Sequence, residues 1–404
     1  MTSITKVAAP SRFRVSRWRS AFEFLVVGAC TLAFALTAVG ITAMLLTHDA
    51  TGNNDFVEYW ASGRLLLQHD NPYSAALIQP LELSAAYAAN DPTLIMANPP
   101  WALPLVAPLG MLSPGIGQFI WLLISCICLF ISVQIIWAIC GEPKTQLNFL
   151  AYTFAPALTC LLAGQVSIFV LLGLVLFLRL HRNRPFWAGS ALWFCLLKPH
   201  LFLPFGCILL AWTIVGRRYR ILAGVGFTLC VSSALALWFD SLIWEHYSQM
   251  MSAERIDRGV IPCLSTALRL SIWPHTLVIQ CLPATLGCIW ALHYFRAHIG
   301  DWDWLKHGAL VLLVSVMVAP YTWLMDQAVV IPALLYAVYN TRSRNLIAGL
   351  AMASAAIEIA TIGGFNLTHS NFYLWTSPVW LGWYLLARQT GGPTSLGALC
   401  LDSV

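Results

Sequence analysis

Residues 115–140, GIGQFIWLLISCICLFISVQIIWAIC, run without a single charged side chain. A helix needs about 20 apolar residues to cross the hydrocarbon core of a bilayer, and this run supplies them. Comparable runs recur along the chain from residue 20 onward, so the fold class expected is an all-α polytopic membrane protein. A transmembrane barrel would instead show short strands of alternating polarity, and none are visible. Of the 404 residues, 59% are hydrophobic and only 10% are charged, against roughly 25% charged in a soluble domain. The lipid bilayer is therefore the first partner the sequence implies. Many of the 18 tryptophans lie near predicted helix ends, where indole rings favour the interface.

Basic clusters stand at Arg12–Arg19, Arg179–Arg184, Arg217–Arg220, Arg296–Lys306 and Arg342–Arg344. They fall on one side if spans lie near 20–46, 115–140, 146–163, 165–181, 186–198, 199–215, 221–239, 275–296, 307–319, 322–340, 346–363 and 374–388. That gives about twelve spans in a single membrane domain, 1–404. The basic tail 1–19 and the tail 389–404 are then both cytoplasmic, because basic loops stay inside. The apolar stretch after Arg19 is longer than a secretory signal and reads as a retained first span. Two long loops, 47–99 and 240–262, face outward. The short, proline-rich pieces near 100–112 and 262–273 are expected at the outer interface or entering partway.

Charge and cysteine content narrow the chemistry. The net charge of +5 resides in short clusters between spans, which is no nucleic-acid footprint. Most of the 12 cysteines sit inside apolar runs as small hydrophobes. There is no C-x-x-C and no metal-ligand spacing, so neither metal, cofactor nor disulfide is expected. The first outer loop carries Asp49, Asp55, Glu58, Asp70, Glu82 and Asp91 against Arg64 alone. Chemistry is expected there.

Within that loop, apolar groups at 56, 59/60, 63 and 66/67 keep helical spacing, which predicts an amphipathic helix at the interface seated by Phe56 and Trp60. Asp55 and Glu58 fit a capping box, with Asp in the Ser/Thr place. A carboxylate at a helix N-terminus is also held rigidly and kept ionised, which suits a general base. Both readings stand. GQVS (164–167) and KPH (198–200) lie where spans reach the outer face. Lys198 reads either as a snorkelling anchor or as a cation for a phosphate group. In APYTWLMDQAVVIP (319–332), Asp326 falls inside a span after the break at Pro320 and needs a partner, which Lys198 supplies by depth. Arg269, in the short piece LSTALRL, suits an anionic lipid head group. Arg255 and Arg258 read as solvated loop residues, and Glu358 as an intramembrane acid with no chemistry near it in sequence. The remaining histidines show no ligand spacing, and Asn366-Leu-Thr368 is a bare glycosylation sequon.

Taken in order, these segments resemble glycosyltransferase family 87, a bacterial member of the GT-C superfamily. NDFVEYWASGRLLLQHDNPY resembles its D-F-x-x-Y-x-A-x-x-L-x-x-G-x-x-P-Y signature, and NPPWALPLVAPLGMLS its Pro-rich segment. The stretch from AGQVS to KPHLFLPF resembles its GQ…KP core, and VAPYTWLMDQAVVIPALL its S-P-Y-x-W-x-x-D segment. This chain departs at His69 or Asp70, where Gly is usual, at Ala319 for Ser, and at Met325 for Tyr or His.

The resemblance implies a GT-C bundle in the bacterial inner membrane with its active site on the outer face. It implies transfer of a hexose, with mannose the prior, from a polyprenyl-phosphate donor to a glycolipid or glycan acceptor. Asp55 matches the family's base. Lys198 and Arg269 would hold the donor phosphate, and Tyr59, Gln165, His200, Tyr321, Trp323 and Asp326 would shape the sugar pocket, with Glu58 and Arg64 in support. The residues agree for a separate reason: no Gly-rich phosphate loop or soluble domain is present to hold a nucleotide sugar. A secondary transporter or a lipid-linked-glycan flippase built on the intramembrane Lys/Asp groups is the rival reading.

Overall fold

The computed structural model describes residues 27–32, 34–40, 42, 55–85, 87, 92–253, 261–362 and 371–390. Among these the secondary structure is helical, with no strand. Three helices are long and apolar enough to cross a membrane: Pro114–Ile139, Tyr219–Phe239 and Leu277–Ala297. Pro185–Leu197 and Pro199–Val215 qualify together but are bent by 117° where Lys198 meets Pro199. The other apolar helices, Phe149–Ala163, Ser167–Leu180, His307–Met317 and Leu324–Asn340 among them, run 10–17 residues. Among the described residues three helices, or four with the bent pair counted as one span, reach the length of a crossing, and the shorter ones do not. At about 1.5 Å per residue such helices fall short of the ~30 Å hydrocarbon core.

The interruptions have local causes. Gly164 ends the Ala155–Ala163 helix in the left-handed region, at φ 71°, as a glycine after a helix C-terminus commonly does. Pro199 and Pro320 remove an N–H and cannot continue the preceding helix. Each break leaves carbonyls without helical partners, and those buried in the protein must be met by polar side chains. Asn98 Nδ2 donates to the Leu197 carbonyl at 2.8 Å and Trp101 Nε1 to that of Leu196 at 2.9 Å. NPPW therefore seals the break before Lys198. Asn98 is held in turn by the hydroxyl of Tyr73, which donates to its carbonyl at 3.0 Å. The Tyr73 N–H donates to Asn71 Oδ1 at 2.9 Å, closing the NPY turn.

The Phe56–Leu67 helix departs from the expectation of an interfacial amphipath. Nine of its 12 residues are buried, Phe56 and Trp60 included. It lies against the turn Ala107–Met111, and backbone meets backbone. A Cβ on Gly63 would stand 2.3 Å from the Val106 carbonyl, and one on Gly110 2.4 Å from the Arg64 nitrogen. The proline-rich piece near 100–112 is therefore a wall for this helix. After Leu67 the chain turns through His69, at φ 59°. The Asp70 N–H bonds back to the Leu65 carbonyl at 3.0 Å, the closure that wants glycine in the left-handed position. So the glycine missing from the NPY signature is replaced by His69. Its Nδ1 lies 2.6 Å from the Phe239 carbonyl. The second long loop packs on the first: Trp244 lies 5.8 Å from Trp101 and Tyr247 5.3 Å from Tyr73, centroid to centroid.

Candidate functional site

Three chain interruptions converge beside the start of the Phe56–Leu67 helix. The Asp55 N–H donates to the carbonyl of Ala163 at 2.9 Å, which sets the N-terminus of one helix on the C-terminus of another. Gly164 makes room, since a Cβ there would come within 2.9 Å of Phe56 Cβ. Trp121 Nε1 donates to the Gly164 carbonyl at 2.6 Å and fixes the turn. Asp55 sits in the cap position, yet its side chain makes no cap hydrogen bond. The capping-box reading fails for that reason. The carboxylate turns instead to Gln165, whose Nε2 donates to Asp55 Oδ2 at 2.6 Å.

From Gln165 the network runs inward. Its Oε1 accepts from the Tyr59 hydroxyl at 2.9 Å and from Lys198 Nζ at 2.7 Å. Lys198 also donates to Asp326 Oδ1 at 2.6 Å. Ser167 Oγ donates to the same oxygen at 2.7 Å, and the Trp323 N–H to Oδ2 at 3.0 Å. An ammonium only donates, so it dictates which end of the Gln165 amide faces it. The NH₂ must then face Asp55, which therefore acts as an acceptor. Asp55–Gln165–Lys198–Asp326 is a directed chain from a half-buried carboxylate to one with 0% exposure. Two of the three Lys198 donors are engaged among the described residues, which leaves one for a ligand.

Around this chain the sequence-derived residues fall into two groups. His200 and Tyr321 stack with centroids 3.8 Å apart and planes 25° apart, and His200 Nε2 is buried without a partner among the described residues. Tyr321 and Trp323 are half-buried, while Thr322 and Leu324 between and after them are buried. That alternation is what an extended segment gives. Behind Asp326, Gln327 bonds Thr376 and Trp380 and ties the segment to the Thr376–Thr390 helix. Arg64, by contrast, lies near the far end of its helix with its guanidinium 5.6 Å from the Trp60 ring centroid. Arg269 is 1% exposed and donates to the Pro274 carbonyl at 2.7 Å. Its helix, Leu264–Ile272, is tied to the segment before Tyr321: Ser265 bonds the Val318 carbonyl, and Cys263 at the helix cap bonds that of Pro320. Glu358 accepts from Thr37 at 2.6 Å, apart from this network. Arg255, Arg258, Asn366, and the basic tail lie outside the described residues.

Glu58 sits one helical turn from Asp55 and shares a hydrogen bond with the Tyr59 side chain. Burial first, and the charge of Asp55 second, push its carboxyl well above the ordinary range. Sequence reasoning missed Asn98, Trp101 and Trp121 as positioning residues. The first two lie in the quoted NPPW segment, and their role needed only the question of who pairs the carbonyls before a proline break.

Comparison with family models matches Glycosyltransferase family 87 over residues 97–338. The matched span holds Asn98, Gln165, Lys198, His200, Arg269 and Asp326 and begins after Asp55. No curated protein and no solved structure matches. The match takes in more than half of a chain whose long apolar helices fit a membrane protein. The chain belongs to glycosyltransferase family 87.

Proposed function

We propose that this protein transfers a hexose, mannose by the family's preference, from a polyprenyl-phosphate donor to a glycolipid or glycan acceptor on the outer side of the bacterial inner membrane. The observation that carries the reading is the directed chain from Asp55 through Gln165 to Lys198. It sets an acceptor carboxylate and a buried ammonium on opposite sides of one neutral amide. Asp55 takes the proton of the acceptor hydroxyl. The acceptor oxygen forms its bond to the anomeric carbon as the bond from that carbon to the phosphate oxygen breaks. The electron pair leaves with the polyprenyl phosphate, whose charge Lys198 and Arg269 stabilise. Direct displacement inverts the anomeric centre.

His200, Tyr321 and Trp323 offer the flat aromatic surface a sugar ring packs on, and Tyr59, Gln165 and Asp326 hold the polar groups in register. Family membership speaks against the transporter and flippase readings.

The test uses purified protein, a polyprenyl-phosphate hexose and a bacterial glycolipid extract, with wild type set against Asp55→Asn. Asparagine still presents an oxygen to Gln165 but is not a base. The expected loss is about 10²–10⁴-fold. Undiminished transfer removes Asp55 from the mechanism. No transfer from any lipid-phosphate donor, with ion-coupled uptake into vesicles, overturns the reading in favour of a transporter.

A further inference from the structure

A cavity of about 570 Å³ opens at the opposite end of the bundle from Asp55. The Ser167–Leu180 helix measures the separation. Its first residue bonds Asp326, and His181, just past its last, lines the cavity. Fourteen residues at about 1.5 Å each set the two sites roughly 20 Å apart. The bent pair agrees, with Lys198 at its apex and Pro185 and Arg217, at the two outer ends, in the cavity wall. The volume suits a ligand well above the size of a single ion.

The lining is cationic and aromatic. Arg182, Arg217, Arg218 and Arg220 contribute four guanidinium groups from two basic loops. Asp303, 3.3 Å from Arg182, is the one acid in ion-pair contact with any of the four among the described residues. Four cations beside one carboxylate want a polyanion. Arg218 lies flat over Trp212, 3.7 Å from its ring centroid. That contact fixes the plane and leaves the N–H fork for a bidentate acceptor.

A second observation points the same way. Trp302 and Trp304 line the cavity, and the indole N–H of each is buried without a partner among the described residues. Trp304 is only 3% exposed. Buried donors are nearly always paired, so residues of the cavity wall hold two donors that nothing among the described residues satisfies. Beside the basic loop, Val215 and Tyr219 are 60% and 55% exposed, which provides an apolar rim for acyl chains next to the charged interior.

We propose that this cavity binds the phosphate of an anionic phospholipid head group, with the arginines on the phosphate oxygens and the apolar rim against the acyl chains. Basic pockets at the inner ends of membrane helices recognise lipid phosphates in this way. The site is separate from the transfer chemistry and lies on the side where the basic loops gather.

Arg217 supplies a clean probe. It holds φ 51°, a left-handed conformation in which glycine is the less strained residue. Arg217→Gly thus deletes a cation while easing the backbone. Full-length protein is placed in nanodiscs of phosphatidylcholine alone or with phosphatidylglycerol, and thermal unfolding is followed for wild type, Arg217→Gly and Arg217→Gly/Arg220→Gln. Wild type should melt several degrees higher with phosphatidylglycerol. The double variant should lose that increment while matching wild type in phosphatidylcholine, and Asp55→Asn should keep it. Inorganic pyrophosphate added to detergent-solubilised protein distinguishes the source. If it protects wild type while phosphatidylglycerol does not, the phosphate site stands but its ligand is soluble. Equal melting in both lipids with no protection by pyrophosphate overturns the proposal, as does a phosphatidylglycerol increment that both arginine variants retain.

Discussion

Lys198→Met strips the ammonium from a carboxylate with 0% exposure. Asp326 would keep the Ser167 hydroxyl at 2.7 Å and the Trp323 N–H at 3.0 Å, but neither carries charge. Removing one partner of a buried pair costs about 3–5 kcal/mol, because the other is left as an uncompensated ion. Asp326→Asn exposes the reverse fault: Lys198, 8% exposed, would keep neutral amide oxygens, Gln165 Oε1 at 2.7 Å among them, but no countercharge. The double variant Lys198→Met/Asp326→Asn holds no buried ion at all. Its loss should therefore fall short of the sum of the single losses by about 1–3 kcal/mol, the range for groups in direct contact.

Reversible unfolding in mixed micelles reads the stabilities, and lipid-linked hexose transfer reads the activities. The double variant should recover stability but not transfer, because the cation assigned to the leaving phosphate is still missing. Strictly additive losses would refute the coupling of the two charges. Wild-type transfer by the double variant would make Lys198 an anchor and nothing more.

The other predictions probe the parts around this pair. Glu58 has its pKa raised above the ordinary 4.5 by burial and by Asp55, so the folded state binds its proton more tightly than the unfolded chain. Stability then falls as pH rises from about 4.5 through the folded pKa, and Glu58→Gln should flatten that slope in melting curves taken across pH; equal slopes would sink the assignment. Gly164→Ala combines a left-handed backbone, costing about 1–2 kcal/mol, with a Cβ 3.1 Å from the Phe56 nitrogen. It should lower both melting temperature and transfer, because Asp55 is displaced with Phe56. In His69→Gly the relief of a similar strain is offset by loss of the bond to Phe239, worth about 0.5–1.5 kcal/mol. Unfolding should move by no more than about 1 kcal/mol, and a loss above 2 would show that the histidine does more than close the turn.

Much of the site was legible in the sequence, and the reason is physical. Polar residues in an apolar chain are few, so Asp55, Gln165, Lys198 and Asp326 each stood out, and each lies at or near a break that glycine or proline announces. Depth alone paired Lys198 with Asp326, which the 2.6 Å contact matches. What could not be read was direction. The spacing of Phe56, Tyr59 and Trp60 is the same whether a helix lies on a membrane or is buried under a Pro-rich turn, and only the partner segment decides. The capping box failed similarly, because Gln165 competes for the Asp55 carboxylate and lies 110 positions away. Hydropathy separated 186–198 from 199–215 but could not show the 117° bend at Lys198 between them, because it sees length and polarity alone.

The placement of Asp326 clarifies how Asp55, the proposed base, can lie so near a cation. A lysine bonded directly to Asp55 would hold that carboxylate as an ion pair and blunt its affinity for a proton. Here the ammonium is matched at 2.6 Å by a carboxylate of its own, and a neutral amide separates it from Asp55. Lys198 thus remains charged at depth without neutralising the base, and its remaining donor points to no fixed partner among the described residues. The arrangement also orders the two steps it would serve. The ammonium stands where the phosphate would leave, and the carboxylate that would take the proton lies one amide away, where a hydroxyl would arrive. Gln165→Glu tests that logic: a carboxylate in place of the amide would compete for Lys198 and repel Asp55. Transfer should then collapse while the ion pair with Asp326 still holds the fold, and a Gln165→Glu enzyme at wild-type rate would show that the neutral spacer is not required.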